Sequence, residues 1–391
     1  MAQFNYDESK VPAYELPALL KLNDGTPVKD AATWTGKRRA EVLELFRSEV
    51  YGRRPERPDA LRFEVTKKDE AALGGRALRR EVRVHFTAKE NGPSMNMLLY
   101  LPAKARGATP AFLGLNFIGN PTVSHDPGIT LRKGNKESDR GMKTGRWQAD
   151  MIVDRGYALA TIWYGDIEPD DKRNAFSQGI HKAYGPANKI PPDGWGSIAA
   201  WGWGLSRALD YFETIDEIDD KRVTVIGHSR LGKTSLWAGA EDERFALVIS
   251  NDSGCGGAAL SRRAFGETVK RINTSFPHWF CDNFNKYNGR EADLPVDQHM
   301  LVALMAPRPV YVASAAGDRW ADPRGEYLSA KHADPVYRLL GTEGLPALKM
   351  PPVDKPSMGR IGYHIRTGNH DVKAFDWKAY LDFADKHLGR P

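Results

Sequence analysis

Cysteine is scarce in this sequence: Cys255 and Cys281 are the only two in 391 residues. They have no metal-ligand spacing, so neither a thiolate zinc site nor a cysteine-rich secreted scaffold is expected. As one disulfide or as two buried thiols, they leave the redox compartment open. Long apolar runs are absent too. No stretch reaches the roughly 20 apolar residues that a bilayer demands, so no membrane partner is expected. The N-terminus, MAQFNYDESKVPAYELP, contains no apolar core of the kind a secretory leader carries. A start at Met1-Ala2 is equally compatible with a leader already removed, so this decides little. There is no internal repeat and no low-complexity tract. The net charge of +6 is not gathered into a stripe, and KRR at 37–39 and SRR at 261–263 are the only short basic clusters. A solvated basic surface is the plain expectation, and a preference for an acidic polymer is the functional alternative. Nucleic acid is not expected as a partner, because no binding motif accompanies the charge.

What is present is the composition of an ordinary soluble enzyme, 41% hydrophobic and 27% charged. Residues 1–60 read as an N-terminal extension, loop-rich to about Thr35 and then helical through RRAEVLELFRSEVYG. From about residue 78, apolar strand-like runs alternate with helices. ALRREVRVHFTA alternates like a strand, with NMLLYLPA as its hairpin or sheet partner. PAFLGLNFIG, YALATIWYGD, RVTVIGHS, FALVISND and RPVYVASAAGD read as buried strands, while GSIAAWGWGLSRALDYFE and DWKAYLDFADKHL read as helices. This order predicts one α/β domain over 1–391, with a mostly parallel sheet covered on both faces. The Pro-, Gly- and Asp-rich segment 119–195 reads as a surface insertion. In such sheets functional groups gather at the carboxyl ends of strands. Asn116, Asp166, Ser229, Asp252 and Asp318 each stand just after an apolar run.

The segment VTVIGHSRLGKTSLWAGA carries the chemistry. A buried strand, a tight glycine turn and a helix follow one another, which exposes a serine hydroxyl at the sheet edge and aims helix N–H groups at an oxyanion. Ser229 is the candidate nucleophile, with Gly227 two residues before it. The usual second glycine is displaced, because Leu231 occupies its place and Gly232 follows. The same residues, GHSRLGKT from Gly227 to Thr234, also satisfy the phosphate-loop pattern, with Lys233 on phosphates and Thr234 on magnesium. Against that reading stand the long strand–helix series ahead of the loop, the lack of a second-motif aspartate, and acid and His candidates downstream in hydrolase order.

A serine nucleophile needs a base, and the base a carboxylate, in the chain order Ser, acid, His. His370, in the turn GNHD before the last helix, is the candidate base, with His364 as competitor in an apolar context. Asp318, after the strand RPVYVASAAG, is the first choice of acid. Asp252, in NDSGCGG, is the second or alternative acid, and Asp322 is read as a cap or turn residue. The mechanism requires no metal and no cofactor.

Together these residues resemble the glucuronoyl esterases of carbohydrate esterase family 15, especially its bacterial members. The family motif G-x-S-R-x-G-K accounts for both the displaced glycine and the apparent phosphate loop. NYDESKVPAYELP, LGLNFIGN, WYGDIEPD, NDSGCGGAALSRR, HWFCDNF, WADPRGEYL and GYHIRTGNHD extend the resemblance over nearly the whole chain. Fungal members place a cysteine just before the serine, where this chain has His228, so that disulfide is absent. The resemblance implies an α/β-hydrolase fold and cleavage of the ester between 4-O-methyl-glucuronic acid on xylan and lignin alcohols. It further implies oxyanion stabilisation by Arg230, sugar binding by Lys233 and Glu267, and a uronate pocket lined by Trp320. A secreted or periplasmic location follows from the same likeness, and a monomer is expected. An acetyl-xylan or other polysaccharide esterase is the alternative of the same fold, and a phosphate-loop nucleotide hydrolase the alternative of different chemistry.

Overall fold

The structure is a computed structural model describing residues 4–185 and 189–391. Its strands are β1 (Arg62–Ala71), β2 (Ala77–His85), β3 (Ser94–Pro102), β4 (Thr109–Asn116), β5 (Ala158–Trp163), β6 (Ile218–His228), β7 (Leu247–Asn251), β8 (Val310–Ala315), β9 (Ser357–Met358) and β10 (Ile361–Arg366). They form one sheet in the order β1-β2-β3-β5-β4-β6-β7-β8-β10-β9. From β5 through β10 every pairing is parallel, and the antiparallel strands β1–β3 and the short β9 close the two edges. The helices used below are α1 (Arg39–Phe46), α2 (Ala149–Asp154), α3 (Ser197–Phe212), α4 (Arg230–Glu241), α5 (Pro323–Leu339) and α6 (Ala374–Leu388).

The parallel strands are apolar on both faces because helices cover both. Successive residues feed two separate cores. Val225, Val248, Val310 and Val312 join the core that includes the buried apolar residues of α1, α3, α4 and α5. Ile226, Leu247, Ile249 and Tyr311 join the other, with apolar residues of α2 and α6. The parallel register sets Gly227 beside Ser250 and His228 beside Asn251, and Asn251 beside Ala313. Strands β6, β7, β8 and β10 therefore end at one edge, and the loops that follow them face each other.

Two segments differ from the sequence reading. Residues 1–60 are not appended to the fold. The helical run starts at Ala31 rather than after Thr35, and it continues through π-type turns at Trp34–Arg38 and Arg47–Tyr51 on either side of α1. Trp34, Phe46, Val50 and Tyr51 are fully buried, and Tyr51 stacks on Trp237 of α4 with ring centroids 4.4 Å apart. The segment 119–195 likewise contains β5, which lies inside the sheet between β3 and β4.

The arginines of the two basic clusters are engaged by the fold, contrary to the expectation of a solvated basic surface, while Lys37 is exposed. Arg38 donates to the Leu19 carbonyl at 3.1 Å and pairs with Glu41 at 3.0 Å, while Arg39 pairs with Glu243 at 2.8 Å. Arg262 pairs with Asp297, and Arg263 with both Asp322 and Glu8. A buried guanidinium is tolerated when its donors find acceptors, which these contacts supply to Arg38, Arg262 and Arg263. Cys255 and Cys281 are buried free thiols. Among the described residues no helix is long and apolar enough to cross a membrane.

Candidate active site

Ser229 sits between β6 and α4 with φ 60° and ψ −129°, a conformation costly for a residue with a side chain, by about 1–3 kcal/mol. The turn around it explains both glycines. A Cβ on Gly227 would lie 1.8 Å from the Leu231 carbonyl oxygen, and one on Gly232 would lie 3.0 Å from the Asn251 carbonyl oxygen and from Ser253 Cβ. A side chain at 232 would be tight because α4 presses there on the end of β7, whereas Leu231 is simply buried. The Ser229 amide donates to the Asn251 carbonyl at 2.9 Å, tying the turn to the neighbouring strand. At the start of α4 the Arg230 amide lies at a helix N-terminus, where N–H groups lack helical acceptors and the dipole favours negative charge.

The turn's donors are not turned towards a phosphate. The Gly232 and Lys233 amides both donate to the Ser229 carbonyl, at 2.9 and 3.1 Å. The Lys233 ammonium is buried and donates to the Ser253 carbonyl, and the Thr234 hydroxyl donates to the Arg230 carbonyl at 3.0 Å. The donors a phosphate loop would present are thus already used, and the phosphate-loop reading is set aside.

His370 follows β10, and its ring stands 4.4 Å from that of His228, the residue before Ser229. Its Nδ1 is 2.5 Å from Oδ2 of Asp318, which fixes the proton on Nδ1 and leaves Nε2 as the basic nitrogen. His370 is partly open to solvent, with a side chain 43% exposed, and Asp318 is buried. Asp252, Asp318 and His370 bring ligating atoms within 4.8 Å of one another. Asp252 makes no hydrogen bond to the imidazole. Its Oδ2 lies 3.4 Å from both Arg366 Nη2 and the Asp371 amide, and its Oδ1 has no partner. Burial, with Glu326 and Asp318 close by, pushes the Asp252 carboxyl well above the usual range, although Arg366 opposes this.

His228 is buried, and its Nδ1 pairs with Oδ1 of Asn251 at 2.7 Å. Burial, reinforced by the neighbouring His370, drives it far down, so it remains a neutral ring. His364, the competing base, is fully buried between Tyr311 at 2.9 Å and Asp376 at 2.8 Å. Its role is in the core. Asp322 accepts from the Gly325 amide at 3.0 Å and pairs with Arg263, so it is the cap expected of it.

Arg230 lies over the Trp279 ring, 4.8 Å from its centroid, and pairs with Asp170 through Nη1. Asp170 also accepts from His278 at 2.7 Å and Trp279 at 2.8 Å. Burial alone would raise this carboxyl, but those donors and the Arg230 charge prevail and bring it to about 2. The guanidinium is therefore held in a fixed plane, with its buried Nε left without a partner. On the same side are Lys233, Glu267 and Trp320. Burial lowers Lys233 and raises Glu267, and each opposes the shift of the other through its charge. The Glu267 amide donates to the Trp320 carbonyl at 3.1 Å, which joins the loops carrying them. Trp320 is half-buried and meets Phe4 edge-on at 4.8 Å.

Of the five residues at strand ends, Asp252 and Asp318 come together at His370, and Ser229 directly follows His228, whose ring faces His370. Asn116 instead pins its own loop by accepting from the Gly119 amide, and Asp166 accepts from the amide and side chain of Asn96. Sequence reasoning missed Asp170, Arg366 and Glu326. Asp170 closes the motif WYGDIEPD, but nothing local marks it as the partner of Arg230, 60 residues away.

The profile for "Glucuronyl esterase, fungi" matches residues 119–341, more than half of the chain. A promiscuous esterase of the same family from a marine bacterial metagenome is 54% identical, covering 98% of this chain and 100% of that one, with a TM-score of 0.92. The chain belongs to carbohydrate esterase family 15, the glucuronoyl esterases. The glucuronoyl esterase from Solibacter usitatus is 48% identical, with a TM-score of 0.94 over 97% of this chain and 100% of that one. A 4-O-methyl-glucuronoyl methylesterase from Phanerochaete chrysosporium is 26% identical over 85% of this chain, which spans 64% of that protein. The family member described here is accordingly a carboxylic-ester hydrolase with the α/β-hydrolase fold, as the strand–turn–helix around Ser229 predicts.

Proposed function

We propose that this protein hydrolyses esters of glucuronic acid or 4-O-methyl-glucuronic acid, of the kind that join glucuronoxylan to lignin alcohols, through an acyl-enzyme on Ser229. The hydrogen bond from His370 to Asp318 beside the strained Ser229 turn carries this reading. His370 Nε2 takes the proton of the Ser229 hydroxyl as its oxygen attacks the uronoyl carbonyl. The tetrahedral oxyanion is met by the Arg230 amide at the start of α4 and by the guanidinium that Asp170 holds in place. Collapse of the intermediate expels the alcohol, which receives the proton from His370. Water, deprotonated by the same imidazole, then releases the uronic acid. Lys233 and Glu267 are charged or polar groups kept partly dry, suited to sugar hydroxyls, and Trp320 offers an apolar face to the ring. The name of the Phanerochaete relative supports the 4-O-methyl-glucuronoyl group as the acyl portion. We take the chain as one catalytic domain acting as a monomer outside the cytoplasm, where such a polymer lies.

The test is hydrolysis of benzyl glucuronate and para-nitrophenyl acetate by wild type and by Ser229→Ala. Wild type is expected to prefer the uronate ester in kcat/KM, and Ser229→Ala to lose a factor on the order of 10⁶ in kcat. Turnover by the variant above a few per cent of wild type would remove Ser229 from the mechanism. A second reading, a polysaccharide esterase that also accepts acetyl esters, is favoured by one observation, the promiscuity ascribed to the 54% identical relative. Comparable kcat/KM on the two esters would decide for it.

A further inference from the structure

Arg366 is the last residue of β10, almost wholly buried, four residues before His370. Its Nε donates to both oxygens of Asp376, at 3.1 and 2.8 Å. Its Nη1 donates to the Thr367 carbonyl at 3.1 Å. Its Nη2 donates to the Asn369 carbonyl at 3.0 Å and to the Asp371 carbonyl. One nitrogen therefore holds the backbone on both sides of His370. The same nitrogen faces Asp252 at 3.4 Å. Asp376 is itself immobilised, because it accepts from the Lys373 amide at 2.7 Å and binds His364, whose other nitrogen meets Tyr311. A guanidinium is the one side chain that can do this, since its donors lie in a rigid plane and it stays charged when buried. A lysine would supply a charge without the fork.

We propose that Arg366 is the positioning residue for the base: anchored on Asp376, it fixes the loop that sets the His370 ring against Asp318, with Asp252 as a further acceptor facing it. This rests on the reading of His370 as base. A shift of about 1 Å in a catalytic group can cost 10²-fold in rate. Arg366→Lys is therefore expected to lose roughly 10²-fold in kcat, with KM nearly unchanged because the sugar-side residues lie on other loops.

The experiment measures three things on Arg366→Lys: kcat and KM on benzyl glucuronate, the thermal midpoint, and the far-downfield proton resonance of the His370–Asp318 hydrogen bond. The account expects a lost or shifted resonance together with the fall in kcat in a folded protein. Asp376→Asn, which loosens the anchor and keeps an acceptor, is the second variant if Arg366→Lys does not fold. It is expected to show the same pattern in weaker form. An intact resonance with wild-type kcat in either folded variant overturns the proposal, as does a rise in KM that accounts for the whole loss. His370→Ala in the same assay tests the underlying reading separately. The resonance needs no turnover, so it decides the part of Arg366 even if that reading fails.

Discussion

The loops after β7 and β8 each bring an aspartate to the base, and they treat it differently. Asp318 binds Nδ1 of His370 at 2.5 Å. Asp252, at the end of β7, is fully enclosed, lies against Arg366 and the Asp371 amide, and has one oxygen without a partner. Burial, with the Glu326 and Asp318 side chains close by, disfavours its charge. The difference teaches what a catalytic acid requires. Proximity to the imidazole is not enough, because the partner must remain ionised to steady an imidazolium. A carboxyl buried among other carboxyls serves that purpose poorly, whereas it serves well as an acceptor tying two loops together.

The comparison breaks most completely if the base is removed. His370→Ala is expected to lose kcat by a factor on the order of 10⁶, and adding Asp318→Asn to it should cost almost nothing further, because the two act as a unit. Stopped assays on benzyl glucuronate would show this. An additional large loss in the double variant would mean that Asp318 acts on something other than His370.

A smaller effect is expected on the sugar side, which neither aspartate serves. Glu267→Gln removes the charge that acts on Lys233 and should lower kcat/KM on uronate esters by roughly 10–100-fold, since leaving one buried polar group unpaired costs about 1–3 kcal/mol. Activity on para-nitrophenyl acetate should change little. Equal losses on both esters would take Glu267 out of the sugar site.

The smallest effect concerns stability. Glu326 is buried beneath the Asp252 loop, where it accepts from the Ser253 and Gly254 amides at 2.8 and 3.0 Å and from Ser314 at 2.6 Å. Burial pushes it up to about 8, against an ordinary value of 4.5, with Asp318 adding to the rise. The folded state therefore holds a proton that the unfolded chain releases. This contribution to stability is fully present below about 4.5 and is lost as pH rises towards 8. Glu326→Gln, which cannot ionise, should flatten that part of the thermal midpoint against pH. An unchanged profile would place the titration elsewhere.

Much of this was legible in the sequence. The alternation of buried strands and helices pointed to the parallel sheet, and the strand–turn–helix GHSRLGK located Ser229. Chain order singled out His370 and Asp318, while the helix cap at Asp322 was readable from its place before Pro323. What was hidden lies in long-range pairing. Arg39, Arg262 and Arg263 read as surface charge because their partners are distant in the chain, and Arg38 because the Leu19 carbonyl it binds lies outside its own helical run. Asp170 could not be matched to Arg230, nor Arg366 to the carbonyls around His370, since hydrogen bonding between loops leaves no periodicity. The N-terminal segment read as an extension because the burial of Trp34 and Tyr51 depends on elements far along the chain, such as α4 against Tyr51.

The most direct test compares kcat of Asp318→Asn and Asp252→Asn on benzyl glucuronate, each in protein shown to be folded. The account predicts a loss on the order of 10⁴ for Asp318→Asn, as when a triad acid is neutralised. For Asp252→Asn it predicts kcat within about tenfold of wild type, because the amide still accepts from Asp371 and Arg366. A larger loss for Asp252→Asn than for Asp318→Asn would contradict it.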